Sequence, residues 1–425
     1  MCFFPITFTS TGQRFRPATF LLLLVAVLAS CGHPPKTESM QALSAVELLG
    51  NPNYPAISYG GYRGVSRSEQ PTLVQLKEDM RILHAMGIRF LRTYNVQLPH
   101  AFNVVKAISE LKQADPDFEM YIMLGAWIDC EGAWTGAPNH AVQDFEANGE
   151  EIQRAVALTQ QFPDIVKVIA VGNEAMVHWA ASYFVAPKVV LHWVNHLQGL
   201  KAGGDLPSDL WITSSDNFAS WGGGGPEYHN ADLDSLILAV DYVSMHTYPF
   251  HDTHYNPTFW KGEEFDPTDV DGAMARAVAY SQNQYTSVVN YVRRLDAHKP
   301  VHIGETGWAS VSDGFYGPEG SRASDEYKQA LFHKGMREWT QSSGISCFYF
   351  EAFDEPWKSA ANPTDSENHF GLFTKDGEAK YAIWSLVEEG VFEGLTRDGH
   401  TIRPTYAGQR ELLDRHILNS EPWTP

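Results

Sequence analysis

Two glutamates, each on a short turn that leaves an apolar run, are the residues of this chain best suited to chemistry: Glu174 in Val-Gly-Asn-Glu at 171–174 and Glu305 in Ile-Gly-Glu-Thr-Gly-Trp at 303–308. Two carboxyl groups facing each other across a cleft are the minimum equipment for breaking a glycosidic bond, one as acid and base, the other as nucleophile or water activator. The two lie far apart in sequence, so only a fold that gathers successive strand ends around one axis brings them together. A (β/α)8 TIM barrel does so, and its reactive groups project from the C-terminal ends of its strands. A carboxyl kept among apolar groups holds its proton and can protonate a leaving oxygen, whereas one given hydrogen bonds stays ionised.

The elements that must position these residues can be read along the chain. Apolar runs at 56–60, 88–94, 120–126, 166–172, 210–214, 240–246, 300–304 and 345–351 read as eight strands. Several are apolar on both faces, as in Val-Lys-Val-Ile-Ala-Val at 166–171, which suits a parallel sheet covered by helices. Between them, Leu73, Leu76, Met80, Leu83 and Met86 fall on one face of a helix that Gly87 ends. Further helical spacing occurs near 100–114, 150–161, 187–201, 272–296, 324–340 and 379–389. Alternation of this kind predicts an α/β fold, a single (β/α)8 barrel over residues 54–425. The stretches at 127–149 and 215–235 read as loops on the catalytic face, and the glycines at 222–225 as a hinge, since the Lys-Ser/Thr of a phosphate loop does not follow them.

Four segments in order, Val-Gly-Asn-Glu at 171–174, Met-His-Thr-Tyr-Pro at 245–249, Glu-Thr-Gly-Trp at 305–308 and Phe-Glu-Ala-Phe-Asp-Glu-Pro-Trp-Lys at 350–358, resemble glycoside hydrolase family 17, the β-1,3-glucanases, over about residues 55–390. The resemblance implies a retaining glycosidase acting on β-1,3-glucan without metal or cofactor, with Glu174 as acid/base and Glu305 as nucleophile. Their carboxyls would then stand about 5–5.5 Å apart. It further implies Asn173 on the sugar 2-hydroxyl, Tyr59, Arg92 and Tyr248 around the nucleophile, Trp308 as a stacking platform under a glucose ring, and Glu351 with Lys358 as a polar pair near the cleft. Ala309 and Ser310 stand where the plant branch has Pro-Ser, so the chain looks closer to the fungal and bacterial members. Trp127, Trp134 and Trp221 fall in the upper loops, where lining glucose subsites and capping the core are about equally open.

The ends and the composition set the context. Arg14 and Arg16 precede a short apolar run that closes on Leu-Ala-Ser-Cys at 28–31, which resembles the bacterial lipobox. The expectation is a signal peptide over residues 1–30, lipidation of Cys31, and a tether over 31–53 that stands the domain off the membrane. Gly32 after the cysteine favours the outer membrane, facing periplasm or exterior. Cys130 and Cys347 are too few for a disulfide framework and are expected buried or free. With 44% hydrophobic residues the core is ample, and a net charge of −20 argues against nucleic acid as a partner while leaving neutral glucan acceptable. A monomer is expected.

His246, His251 and His254 lack the spacing of a helical zinc site, and no Gly-x-Ser-x-Gly elbow follows a strand. Two rival readings of function remain. A glucanosyltransferase would share the covalent intermediate. A non-catalytic glycan-binding lipoprotein would have no need of both glutamates.

Overall fold

A computed structural model of the protein describes residues 43–262 and 266–419. Its centre is a closed barrel of eight parallel strands: β1 (Ala56–Ser58), β2 (Phe90–Arg92), β3 (Tyr121–Ala126), β6 (Val166–Asn173), β7 (Trp211–Asn217), β8 (Val243–His246), β9 (Val301–Gly307) and β10 (Cys347–Phe350). All eight fall within or beside the runs read from the sequence. Helices α2 (Leu73–Ala85), α3 (Pro99–Ala114), α4 (Phe145–Gln161), α5 (Pro187–Gly203), α9 (Val270–Leu295) and α10 (Glu326–Ser342) form the outer layer. Their ends carry the expected local chemistry. Thr72 and Gln75 cap α2 reciprocally, and Pro187 opens α5, which Gly204 closes in the left-handed conformation.

The upper loops hold more structure than their composition indicated. The stretch after β3 forms an antiparallel hairpin, β4 (Cys130–Glu131) with β5 (Asn139–Gln143). The stretch after β7 runs into α6 (Ala231–Ala239). The segment after β8 contains α7 (Pro249–Tyr255) and α8 (Thr258–Lys261). The glycines at 222–225 are not a free hinge: Gly222 packs so closely on the ring of Tyr291 that a Cβ there would lie 2.5 Å from it.

Part of the segment read as a tether, from residue 43 onward, is folded onto the barrel. Residues 1–42, including Cys31, lie outside the described residues. From Leu43 onward the chain belongs to the barrel: in α1 (Ala45–Leu48), Ala45 and Leu48 are fully buried against Ala56, Phe90, Met123, Val168, Tyr242 and Phe348 at the foot of the strands. Gly50 N–H donates to Ser346 Oγ at 2.8 Å and fixes the next turn. Apolar residues at 45, 48 and 49 thus plug the lower mouth of the barrel. Among the described residues no helix is long and apolar enough to cross a membrane. Cys130 and Cys347 are free and buried.

A second device joins the two ends of the domain. Asp79 on α2 is fully buried between Arg63 and Arg397, with Arg63 Nη1 at 2.7 Å and Arg397 Nε at 3.0 Å, and it accepts the hydroxyl of Tyr59 at 2.8 Å. Arg397 comes from a C-terminal hairpin, β11 (Thr396–Arg397) with β12 (His400–Thr401). If the segment before β1 is structural, Leu48→Ala will lower unfolding free energy by about 2–5 kcal/mol in urea titration, the usual cost of a truncated core leucine. A change below ~0.5 kcal/mol would mean that this segment contributes nothing to the plug.

Candidate active site

Glu305 on β9 projects into the upper barrel, where it is 7% exposed and held by three donors. Arg92 Nη1 donates to its Oε2 at 2.5 Å, Tyr94 Oη to the same oxygen at 2.9 Å, and Tyr248 Oη to Oε1 at 2.6 Å. Burial by itself would raise this carboxyl. The Arg92 charge, the nearby His246 and the two phenols outweigh it and hold Glu305 at about 2. The residue before it, Gly304, is required by space: a Cβ would come within 2.1 Å of Ser244 Oγ and 2.4 Å of Ser215 Oγ, which fill the barrel at that level.

Glu174 follows β6 across the mouth. Gly172 and Glu174 both adopt positive φ, +81° and +48°, and the Glu174 N–H donates to Ser215 O at 3.0 Å. This sharp exit turns the carboxyl back over the barrel. Its Oε1 lies 3.0 Å from His246 Nδ1, and His246 Nε2 lies 2.7 Å from Ser215 Oγ. Burial first, and the charge of Glu305 second, push Glu174 up to about 8, while burial holds His246 down at about 4. At neutral pH one carboxyl therefore carries a proton and the other a charge, and the imidazole between Glu174 and the serine hydroxyls is neutral.

Asn173 is placed by the same arginine. Arg92 Nη2 donates to its Oδ1, and since a guanidinium has only donors, the amide Nδ2 is the end not directed at Arg92. The two glutamates line one cavity of about 1090 Å³, whose walls include Tyr248, Phe350, Phe370 and the exposed rings of Trp179, Tyr255 and Phe315. Among the described residues no group of three or more His, Cys, Asp or Glu is arranged to hold a metal ion.

The structure thus gathers Glu174, Glu305, Arg92, Asn173 and Tyr248, and corrects two expectations. Tyr59 is not at Glu305: side chains alternate along a strand, and this one turns out to the helix layer and Asp79. Its supposed place is taken by Tyr94, which shares the inward phase of Arg92 two residues earlier. Trp308 is no sugar platform. With Glu305 inward, the same alternation sends position 308 outward, where its indole N–H donates to Ala323 O at 2.8 Å and its ring packs 5.0 Å from Phe332 and 5.4 Å from Phe250. Of the two roles left open for Trp221, it takes the core one, fully buried with its N–H on Ser244 O at 3.0 Å.

Glu351 and Lys358 do form a pair, at 3.0 Å, with Glu355 Oε2 at 3.6 Å. They stand behind the cavity wall, Lys358 Nζ lying 3.7 Å from the centre of the Phe350 ring. His246 and Asp216 escaped the sequence reading. His246 joins Glu174 to the serine hydroxyls, and Asp216, buried beside Glu174 and pushed up to about 7 chiefly by burial, accepts the Met176 N–H at 2.7 Å.

Three measurements check this picture. In carbon-detected NMR titration Glu174 should release its proton near pH 8, and Glu305→Gln should lower that midpoint by removing the neighbouring negative charge; an unmoved midpoint would mean the two do not interact. Tyr94→Phe should cut kcat/KM about 10- to 100-fold, the worth of one hydrogen bond to a charged group. Tyr59→Phe should instead lower stability by about 1–3 kcal/mol at undiminished turnover.

The family model of the BtgE/BtgC glycoside hydrolase domain matches residues 56–371. Among solved structures, an endo-laminarinase from Formosa Hel1_33_131 superimposes with a TM-score of 0.88 and 61% identity, covering 90% of this chain and 99% of that one. A β-1,3-glucanosyltransferase from Rhizomucor miehei shares the fold, with a TM-score of 0.55 and 20% identity over 78% of this chain and 96% of its own. The curated relatives include a glucan 1,3-β-glucosidase of Arthroderma benhamiae, 26% identical over 61% of this chain and 70% of its own length. Another is the glucan endo-1,3-β-glucosidase btgC of Emericella nidulans, 23% identical over 82% of this chain, which spans only 48% of that protein. A match that runs from the first barrel strand to just past the last, over both glutamates, places this chain in the BtgE/BtgC glycoside hydrolase domain family, and the protein is a glycosidase.

Proposed function

We propose that the protein is an endo-acting hydrolase of β-1,3-glucan of the laminarin type, working by double displacement with retention, as in glycoside hydrolase family 17. The observation that carries this reading is that two carboxyls in unlike surroundings line one cavity: Glu305 is held by Arg92, Tyr94 and Tyr248, whereas Glu174 lies against the imidazole of His246. The high identity to an endo-laminarinase supports the substrate and the internal mode of attack.

In the first step Glu305 attacks the anomeric carbon while Glu174 gives its proton to the glycosidic oxygen, so the leaving chain departs as a neutral alcohol. With the His246 tautomer that carries its proton on Nδ1 and so donates to Glu174 Oε1, 3.0 Å away, the acid proton sits on the other oxygen. Once Glu305 is esterified its charge is gone, and with it the largest charge effect that holds the Glu174 pKa up. Glu174 then serves as base for the incoming water. Asn173 Nδ2 meets the 2-hydroxyl, a contact that strengthens as charge develops on the ring. Export and lipidation at Cys31 belong to the same proposal, as a surface-anchored enzyme; Cys31→Ala would move the protein from the membrane to the soluble fraction.

Product analysis on laminarin oligosaccharides tests the reaction. A ladder of shorter β-1,3 products from internal bonds is expected, whereas single glucose units from one end, or longer products, would overturn the endo-hydrolase assignment. Glu305→Ala should abolish turnover, with azide restoring it as the α-glucosyl azide. The kcat/KM profile should fall as pH rises through about 8, because the acid form of Glu174 is lost. With Glu174→Ala and a substrate bearing a good leaving group, that basic limb should vanish.

A further inference from the structure

The hairpin after β3 holds one of the most exposed large apolar side chains in the described structure, and holds it rigidly. Trp134 is 61% exposed. Its backbone N–H donates to Ser182 O at 2.9 Å, and its indole N–H reaches Asp129 Oδ1 at 3.3 Å. The same oxygen accepts the indole of Trp127 at 2.8 Å. One face of the Trp134 ring is stacked on Tyr183, at 4.9 Å and 24°, with Trp127 6.3 Å away and 30° from parallel. Trp134 also has φ +64°, a region that bulky residues avoid and that surrounding contacts must impose. A tryptophan that capped the core would turn its area inward. This one is locked by two hydrogen bonds and a stacked ring with most of its surface facing water.

The cluster is continuous with the active site. Tyr183 and Ser182 belong to the loop that leaves Glu174, and Val185 N–H returns to Ala175 O at 2.7 Å, next to Glu174. On the same loop the exposed Trp179 lines the catalytic cavity. Phe315 lines that cavity from the loop after β9, which in the strand order lies across the barrel from the loop after β3. Flat aromatic surface therefore stands on both sides of the glutamates. The axial C–H face of a β-glucopyranose is flat and apolar and suits such a ring, and the rigid mounting leaves little freedom to be lost on binding.

We propose that Trp134, backed by Tyr183 and Trp127, is a carbohydrate-binding platform at the rim of the cleft that stacks on one glucosyl ring of a long β-1,3-glucan, beyond the rings at the point of cleavage. This rests on the β-1,3-glucan reading above and extends it: the platform makes affinity depend on chain length, which favours attack within long chains.

Calorimetric binding of laminari-oligosaccharides of increasing length to the Glu305→Gln protein, with and without Trp134→Ala, tests it, with turnover of laminarin by the unaltered enzyme measured in parallel. Trp134→Ala should weaken binding of the longest chains by roughly five- to tenfold, within the range of an aromatic stacking contact. The loss should shrink as the oligosaccharide shortens, and Trp134→Phe should recover part of it. Equal loss at every length, or none at any length, in protein with an unchanged thermal midpoint, overturns the platform and leaves the hydrolase reading standing. Length-dependent binding without cleavage of laminarin by the unaltered enzyme overturns the hydrolase reading and upholds the platform. Absence of both overturns both.

Discussion

A single buried guanidinium organises this site. Arg92 is 1% exposed and ties three strand ends together: Glu305 and the Gly304 carbonyl of β9 through one nitrogen, Asn173 of β6 through the other. Its planar fork fixes both partners in direction as well as distance. Removing either member of such a pair leaves an unpaired charge in the barrel, a cost of about 3–5 kcal/mol. The asymmetry of the two carboxyls descends from it. Arg92 keeps Glu305 ionised, and the ionised Glu305, together with burial, keeps the proton on Glu174. Two identical residue types thus take opposite roles because one cation sits nearer to one of them.

The barrel is divided along its axis in a way that serves this arrangement. Its foot is sealed by apolar side chains and by Ala45 and Leu48 from before the first strand. Its upper interior is a hydrogen-bonded layer in which Ser244, Ser215 and His246 connect in sequence toward Glu174. The layer exists only because position 304 has no side chain. Polar groups this deep are tolerable when each has a partner, and the chain of hydroxyls and imidazole supplies neutral partners that leave the charge balance to Arg92 and Glu305.

Much of this was legible in the sequence because the governing signals are local. Eight apolar runs separated by helical spacing announce the barrel, and the glutamates stand at the ends of two of them. What misled was the phase of side chains just past a strand end. Tyr59 and Trp308 lie within a residue or two of inward-facing positions, yet the period of two sends both into the helix layer, and Tyr94 takes the inward place. The hairpin holding Trp134 and the short helices after β7 and β8 were hidden for another reason. Polar, glycine-rich stretches lack periodicity, and their order comes from long-range contacts such as Trp134 with Ser182 or Gly222 with Tyr291.

The Asp79 cluster bears on what counts as the unit of folding. The family match closes at residue 371, just past the last barrel strand, but the second cation on Asp79 is Arg397. Lys380, beyond that border too, meets the buried Asp354 at 2.7 Å, and Thr405 donates to Glu326 at 2.7 Å on α10. A chain cut where the family match stops would keep every catalytic group and lose the lysine that meets Asp354 and one of the two arginines on Asp79. The family match is therefore shorter than the object that folds, and the terminal stretch earns its place as internal neutralisation of acids that sit within the barrel and its helices.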